Sequence, residues 1–242
     1  MVDVRKKVAE ITPEITKIRE YIHENPELSM QEYNTCALLE DYVKKNVKYD
    51  RLKRVGETGL FFELKGTKPG NGPTIVFRGD IDALPMQENA CNTRGERAVM
   101  SEVPGVMHAC GHDGHTAALL GAASILAEHP ELNKGRIILM FERGEEATGN
   151  VVYLHQYMEQ HNIHVDSAWG LHLFTNFAHG KLVVYDSYAL AGSLFFSGKL
   201  TGKGGHGSRP DLSFSPIDCF HAIYAGISML KMKYSSPFKP LT

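Results

Sequence analysis

The stretch VMHACGHDGHTAALLGAAS, Val106–Ser124, sets Cys110, His112 and Asp113 between His108 and His115 and then runs into helix-forming residues. A thiolate and an imidazole two positions apart, with Gly111 between them, can turn toward one ion. Zinc and related divalent metals accept sulfur and nitrogen donors together. The same residues also fit a buried thiol beside surface histidines, or a cysteine nucleophile with a histidine base. Further along, Glu145 and Glu146 follow the apolar run RIILMFE. One such carboxylate can hold a metal while its neighbour takes a proton from water, and a solvated charge pair is the plainer alternative. Asp80 and Asp82, in RGDIDALP, point the same way on an extended backbone. One of them could orient a ligating histidine from behind, or the pair could serve the turn before Pro85. His172 is a polar residue in the apolar stretch WGLHLF, where a satisfied core histidine is the ordinary case.

These residues do chemistry together only if the elements carrying them converge. Helical spacing predicts a helix from about Val4 to His23, with Val4, Val8, Ile11, Ile15, Ile18 and Ile22 as its apolar positions. A second helix is predicted over Glu32–Lys45, with Ala37, Leu38, Tyr42 and Val43 facing inward. A strand pair, Gly59–Gly66 and Thr74–Pro85, flanks a KPGNGP turn, and the consecutive apolar TIVF suits a strand covered on both faces. A helix at His115–Ala127, a buried strand at Arg136–Glu142 and a helix near Val151–Gln160 follow, and then strands at Ser167–Phe174 and Lys181–Ser187. Strands alternating with helices imply a layered α/β sheet, whose ligands sit beyond the carboxyl ends of the strands. Asp80 and Asp82, Glu145 and Glu146, and His172 all fall at such ends. From about Ser193 the pattern changes to strand-like alternation, a glycine-rich loop and a helix over Ser215–Lys231, capped by Ser215 with Pro216 at its first position.

With 242 residues and 43% hydrophobic residues, the chain can bury a substantial core. A net charge of −2 without a basic tract argues against a nucleic-acid partner. No window reaches the roughly 18 apolar residues of a membrane span. The charged N-terminus reads as an amphipathic helix rather than a signal peptide. Cys36, Cys91, Cys110 and Cys219 are widely spaced, which suits reduced thiols in the cytoplasm.

Taken in order, REYIHENPELSMQEYNT, RGDIDALP, MHACGHDGHTA, the paired glutamates after an apolar strand, GLH and GKGGHGSRP resemble the M20 metallopeptidase family. The likeness is to its branch of N-acyl-amino-acid amidohydrolases, which includes hippurate hydrolases and auxin-conjugate hydrolases. HACGHDGH carries most of the specificity, and the resemblance runs nearly the length of the chain. Two motifs depart from the family pattern: ERGEEATGN adds Arg143 beside the glutamates, and GGHGSRPD alters the neighbours of His206. Arg143 is therefore expected to add a cation beside the site.

The resemblance implies an α/β fold: a mixed, mostly parallel sheet flanked by helices, with a partial α+β lid or dimerisation domain. It implies a metal-binding catalytic domain over residues 1–191 and the partial lid over 192–242. It implies two divalent metal ions, zinc or manganese, with Cys110 as a bridging ligand and His112, Glu146 and His172 as further ligands. Glu145 then matches the general base, Asp82 the aspartate supporting the site from behind, and His206 an oxyanion-stabilising histidine that acts across a homodimer. His108, Asp113 and His115 are expected to form local hydrogen bonds, Asp113 holding a ligand in place. The implied activity is hydrolysis of the amide bond of N-acyl amino acids or related small conjugates. Family chains are longer and supply one more metal-ligating histidine near their C-terminus. The alternative expectation is thus a fragment that holds metal weakly and turns over little or no substrate.

Overall fold

A computed structural model describes residues 2–147, 151–186, 189 and 197–234. The chain forms two compact units, Met1–Asn176 and Phe177–Thr242. The domain boundary expected at residues 191 and 192 lies outside the described residues.

The first unit contains helices α1 (Val4–Glu24), α2 (Tyr33–Asn46), α3 (His112–Glu128) and α4 (Val152–Gln160). Its strands are β1 (Arg51–Val55), β2 (Gly59–Lys65), β3 (Thr74–Asp80), the two-residue β4 (Cys91–Asn92) and β5 (Gly95–Glu96), β6 (Arg136–Glu142) and β7 (Ser167–Gly170). Five strands form one sheet in the order β1-β2-β6-β3-β7. β1, β2 and β6 run antiparallel in turn, while β3 is parallel to both β6 and β7. The sheet is therefore mixed. The expected pairing of β2 with β3 does not occur: β6 lies between them, and β2 pairs instead with β1, a strand too polar to show in the periodicity.

Alternation along the central strands divides the core into two layers. Leu60, Phe62, Leu139 and Phe141 face one side, where they meet Leu39 and Val43 of α2 and Leu120 and Ala123 of α3. Phe61, Val76, Ile138 and Met140 face the other, where Leu154 of α4 and Ile163 cover them. α1 lies on the first side, and Gly121 of α3 lets Ile15 approach closely. Burial in α1 differs from its even apolar periodicity: Val4 and Val8 stay exposed while Ile22 is buried. In α2 the fully buried residues are Cys36, Leu39 and Val43, with Tyr42 nearly so, whereas Ala37 and Leu38 are only half-buried.

Of Ser167–Phe174 only Ser167–Gly170 is strand, so His172 stands on the segment that leaves β7. Residues 181–186 are not strand, contrary to expectation, and Leu182 and Val184 are exposed; Ser187 lies outside the described residues. In the second unit, a bridge between Lys203 and Phe214 precedes α5 (Pro216–Tyr234). Ser215 Oγ accepts the Asp218 N–H at 3.2 Å, the expected cap. Ile217, Phe220 and Tyr224 of this helix are exposed.

Candidate metal centre

The carboxyl ends of β3 and β6 lie side by side, with Asp80 opposite Glu142. The chain leaving β3 is then held on both flanks. Ala83 N–H donates to Glu27 O at 2.8 Å, and Leu84 N–H to Met107 O at 3.0 Å. Asp82 thus comes beside the loop that ends in Cys110. Gly111 takes a left-handed conformation, φ 87°, which L side chains rarely adopt. The turn lets α3 begin at His112 while Cys110 looks to the same centre.

Hydrogen bonds orient each imidazole. Nδ1 of His112 lies 3.0 Å from Asp82 Oδ1. A carboxylate accepts, so Nδ1 is the donor and Nε2 is the nitrogen turned to the centre. That Nε2 is buried without a hydrogen-bond partner among the described residues. Nδ1 of His172 donates to Leu173 O at 2.7 Å, and its Nε2 sits 3.4 Å from Cys110 Sγ. The Cys110, His112 and His172 donor atoms all lie within 4.8 Å of one another, as do those of His112, Glu145 and Glu146. His112 Nε2 is 3.8 Å from Glu146 Oε1 and 3.9 Å from Glu145 Oε2. A buried, unpartnered nitrogen facing a thiol, a second imidazole and two carboxylates is a donor set that fits a divalent cation.

The electrostatics agree. Burial, together with the Glu146, Glu145 and Asp80 carboxylates, pushes the Cys110 thiol up to about 12. That environment makes a poor thiolate nucleophile. Asp82 is held below the usual carboxylate range: burial opposes this, but hydrogen bonds from His112 and Ser29 outweigh it. Glu145 is raised, chiefly by burial, with Arg78 opposing.

The expected residues separate clearly. Cys110, His112, Glu145, Glu146 and His172 come together, with Asp82 behind His112. His115 bonds to Asp80 through Nδ1 at 2.6 Å and accepts the Leu173 N–H through Nε2 at 2.8 Å. It therefore steadies the turn that presents His172. His108, contrary to expectation, is buried with neither ring nitrogen hydrogen-bonded among the described residues. Asp113 does not hold a ligand. Its Oδ2 accepts from Arg19 at 2.7 Å and from His23 at 2.8 Å, joining α3 to α1. Arg143 is not the cation at the centre either: its guanidinium lies over the Tyr153 ring and against Gly56. Among the described residues the cation beside Glu145 is Arg78, which donates to Glu142, forms an ion pair with Asp80 at 2.9 Å and reaches Glu145 at 3.8 Å. It sits in the quoted RGDIDALP motif, where its position within an apolar strand was the available signal. His206 belongs to the second unit, where its Nδ1 accepts the Ser208 N–H at 3.2 Å. Arg209 of the altered motif pairs with Asp211 at 2.7 Å.

Comparison with known proteins adds lineage to this geometry. Peptidase family M20/M25/M40 matches the chain over residues 76–227. IAA-amino acid hydrolase ILR1-like 4 of Arabidopsis thaliana is 37% identical over 223 residues, covering 91% of this chain and 48% of that protein. N-acyl-L-amino acid amidohydrolase of Geobacillus stearothermophilus is 33% identical over 242 residues, covering 99% of this chain and 62% of that protein. The solved structure of Bacillus subtilis YXEP, described as a dinuclear metal-binding peptidase of the M20 family, superposes with a TM-score of 0.61 at 31% identity. That superposition covers 69% of this chain and 45% of the other. The chain thus spans about half to three fifths of the length of the curated relatives it matches.

Proposed function

The chain belongs to peptidase family M20/M25/M40, and on that premise we propose that it carries the metal-binding part of an amidohydrolase acting on N-acyl amino acids or related small conjugates. The observation that carries this reading is that His112 lies in one donor group with Cys110 and His172 and in a second with Glu145 and Glu146.

In this reading Cys110, His112, Glu146 and His172 would hold divalent metal, zinc or manganese. When bound, such ions polarise an amide carbonyl and make water more acidic. The rest falls to the chain. Asp82 keeps the proton on Nδ1 of His112. His115 fixes the His172–Leu173 turn. Glu145, the more exposed of the paired glutamates, receives a proton from the attacking water and passes it to the leaving nitrogen. Arg78 stands beside Glu145 and limits how far burial raises its pKa. His206 is assigned to the developing oxyanion. Its Nδ1 accepts from Ser208, which leaves Nε2 as the donor. The second unit is assigned to a lid or dimerisation role, with a homodimer as the assembly. The four free cysteines suit the cytoplasm. Among the described residues, no helix is long and apolar enough to cross a membrane.

The test is hydrolysis of a panel of N-acyl amino acids by the zinc- or manganese-loaded protein. The expected result is metal-dependent release of the amino acid, falling by about 10²–10⁴ in Glu145→Gln. No release with any member of the panel, or release unaffected by chelation, overturns the reading.

A further inference from the structure

The structure assigns Glu32 as a positioning residue for the Glu145–Glu146 pair. Glu32 lies in PELSMQEYNT, a motif that neither the metal ligands nor the proton transfer accounts for. Its side chain is 0% exposed. Oε1 accepts the Met30 N–H at 2.9 Å and the Gly144 N–H at 2.7 Å, and Oε2 accepts the Thr58 hydroxyl at 2.6 Å. Gly144 is 112 residues away in sequence and immediately precedes Glu145.

The same turn reaches the other side of Glu145 by a second route. Ser29 Oγ donates to Asp82 Oδ2 at 2.6 Å, and that oxygen also accepts the Glu146 N–H at 3.0 Å. The backbone is therefore held on both sides of Glu145: by Glu32 at Gly144, and by Asp82, steadied by Ser29, at Glu146. Gly144 has φ 61° and Met30 φ 69°, both in the left-handed region. For Met30 that conformation is unusual, and the charged acceptor of Glu32 meets the N–H it presents. A carboxylate bonded to backbone N–H groups forms the stronger class of hydrogen bond. With its backbone anchored on both sides, Glu145 has only its own rotamers left to explore, which is how a catalytic group on a loop keeps its geometry.

The geometric part stands alone; its consequence for metal binding rests on the reading above. The experiment compares Glu32→Ala, Glu32→Gln and Thr58→Val with wild type, using the full chain. Two quantities are read: amide hydrogen exchange of residues 143–147 in the metal-free protein, and affinity for Zn2+. Glutamine can accept both N–H groups through Oε1 and donate to Thr58, so it should stay within about threefold of wild type in both. Alanine should speed exchange at 143–147 at least about tenfold and weaken Zn2+ binding by about 10–100-fold. Thr58→Val should lower stability without doing either. Glu32→Asp, which retracts the acceptor by one methylene, is expected to follow alanine and stands in if alanine prevents folding. Wild-type exchange in the alanine or aspartate variant, or the same acceleration in Thr58→Val, overturns the assignment. A wild-type chain that binds no Zn2+ refutes the metal reading alone, because the exchange comparison is made without metal.

Discussion

Asp82 Oδ1 lies 3.0 Å from His112 Nδ1, and this single contact decides which nitrogen of the most buried candidate ligand faces the centre. Replacing Asp82 with alanine frees the tautomer and leaves Nδ1 unpartnered. The expected result is a loss of about 10–100-fold in metal affinity, measured by competition with a chromogenic chelator. Asp82→Asn should lose less at His112, because its carbonyl can still accept, yet its amide meets the Glu146 N–H donor to donor.

Cys110 gives a pH dependence of defined sign. With its pKa pushed up to about 12, the thiol is protonated throughout the neutral range in the metal-free protein. In the metal reading binding expels that proton, so affinity should rise at least about tenfold for each unit of pH between 6 and 8, more steeply at the lower end, where His112, raised against burial by Asp82 and its neighbouring carboxylates, also gives up a proton. Calorimetry in buffers of differing ionisation enthalpy counts the protons released. Without metal, alkylation at pH 7.5 should mark the exposed Cys91 and Cys219 well before Cys110.

The His23 bridge predicts a second pH effect, on stability. The Asp113 hydrogen bond raises the His23 pKa above 6.5, with burial opposing. A group bound more tightly to its proton when folded stabilises fully below the unfolded value and loses that contribution as pH rises through the folded one. His23→Asn should therefore cost more stability at pH 6 than at pH 9 in denaturant unfolding of the metal-free protein. Equal losses at both pH values would contradict the bridge.

Burial predicts a contrast between the two units. Leu139 is fully buried between β2 and β3, and Leu139→Ala should cost about 2–5 kcal/mol. Ile217 on α5 is 75% exposed, and Ile217→Lys should change stability by less than about 0.5 kcal/mol. Urea unfolding measures both.

Much of the candidate site is legible in the sequence because its candidate ligands sit at the ends of apolar runs. β6 matches its expected bounds, and Cys110, His112 and the paired glutamates cluster in sequence. Pairing order could not be read that way. β6 inserts between β2 and β3 through contacts distant in sequence, and periodicity carries no information about them. Lys181–Ser187 has the apolar pattern of a strand, yet residues 181–186 are not strand. Arg78 and Arg143 show the same limit at side-chain scale. Arg143 is beside the glutamates in sequence, but its guanidinium turns to Tyr153, while Arg78, on another strand, reaches Glu145. Glu32 escaped notice because its partner lies more than a hundred residues away.

The most direct test of the metal centre is X-ray absorption at the zinc edge of the zinc-loaded chain. The geometry predicts a sulfur scatterer at about 2.3 Å together with imidazole nitrogens, the sulfur disappearing in Cys110→Ser and an imidazole contribution falling in His172→Ala. A spectrum with only nitrogen and oxygen neighbours, or a sulfur shell that survives Cys110→Ser, would contradict the centre described here.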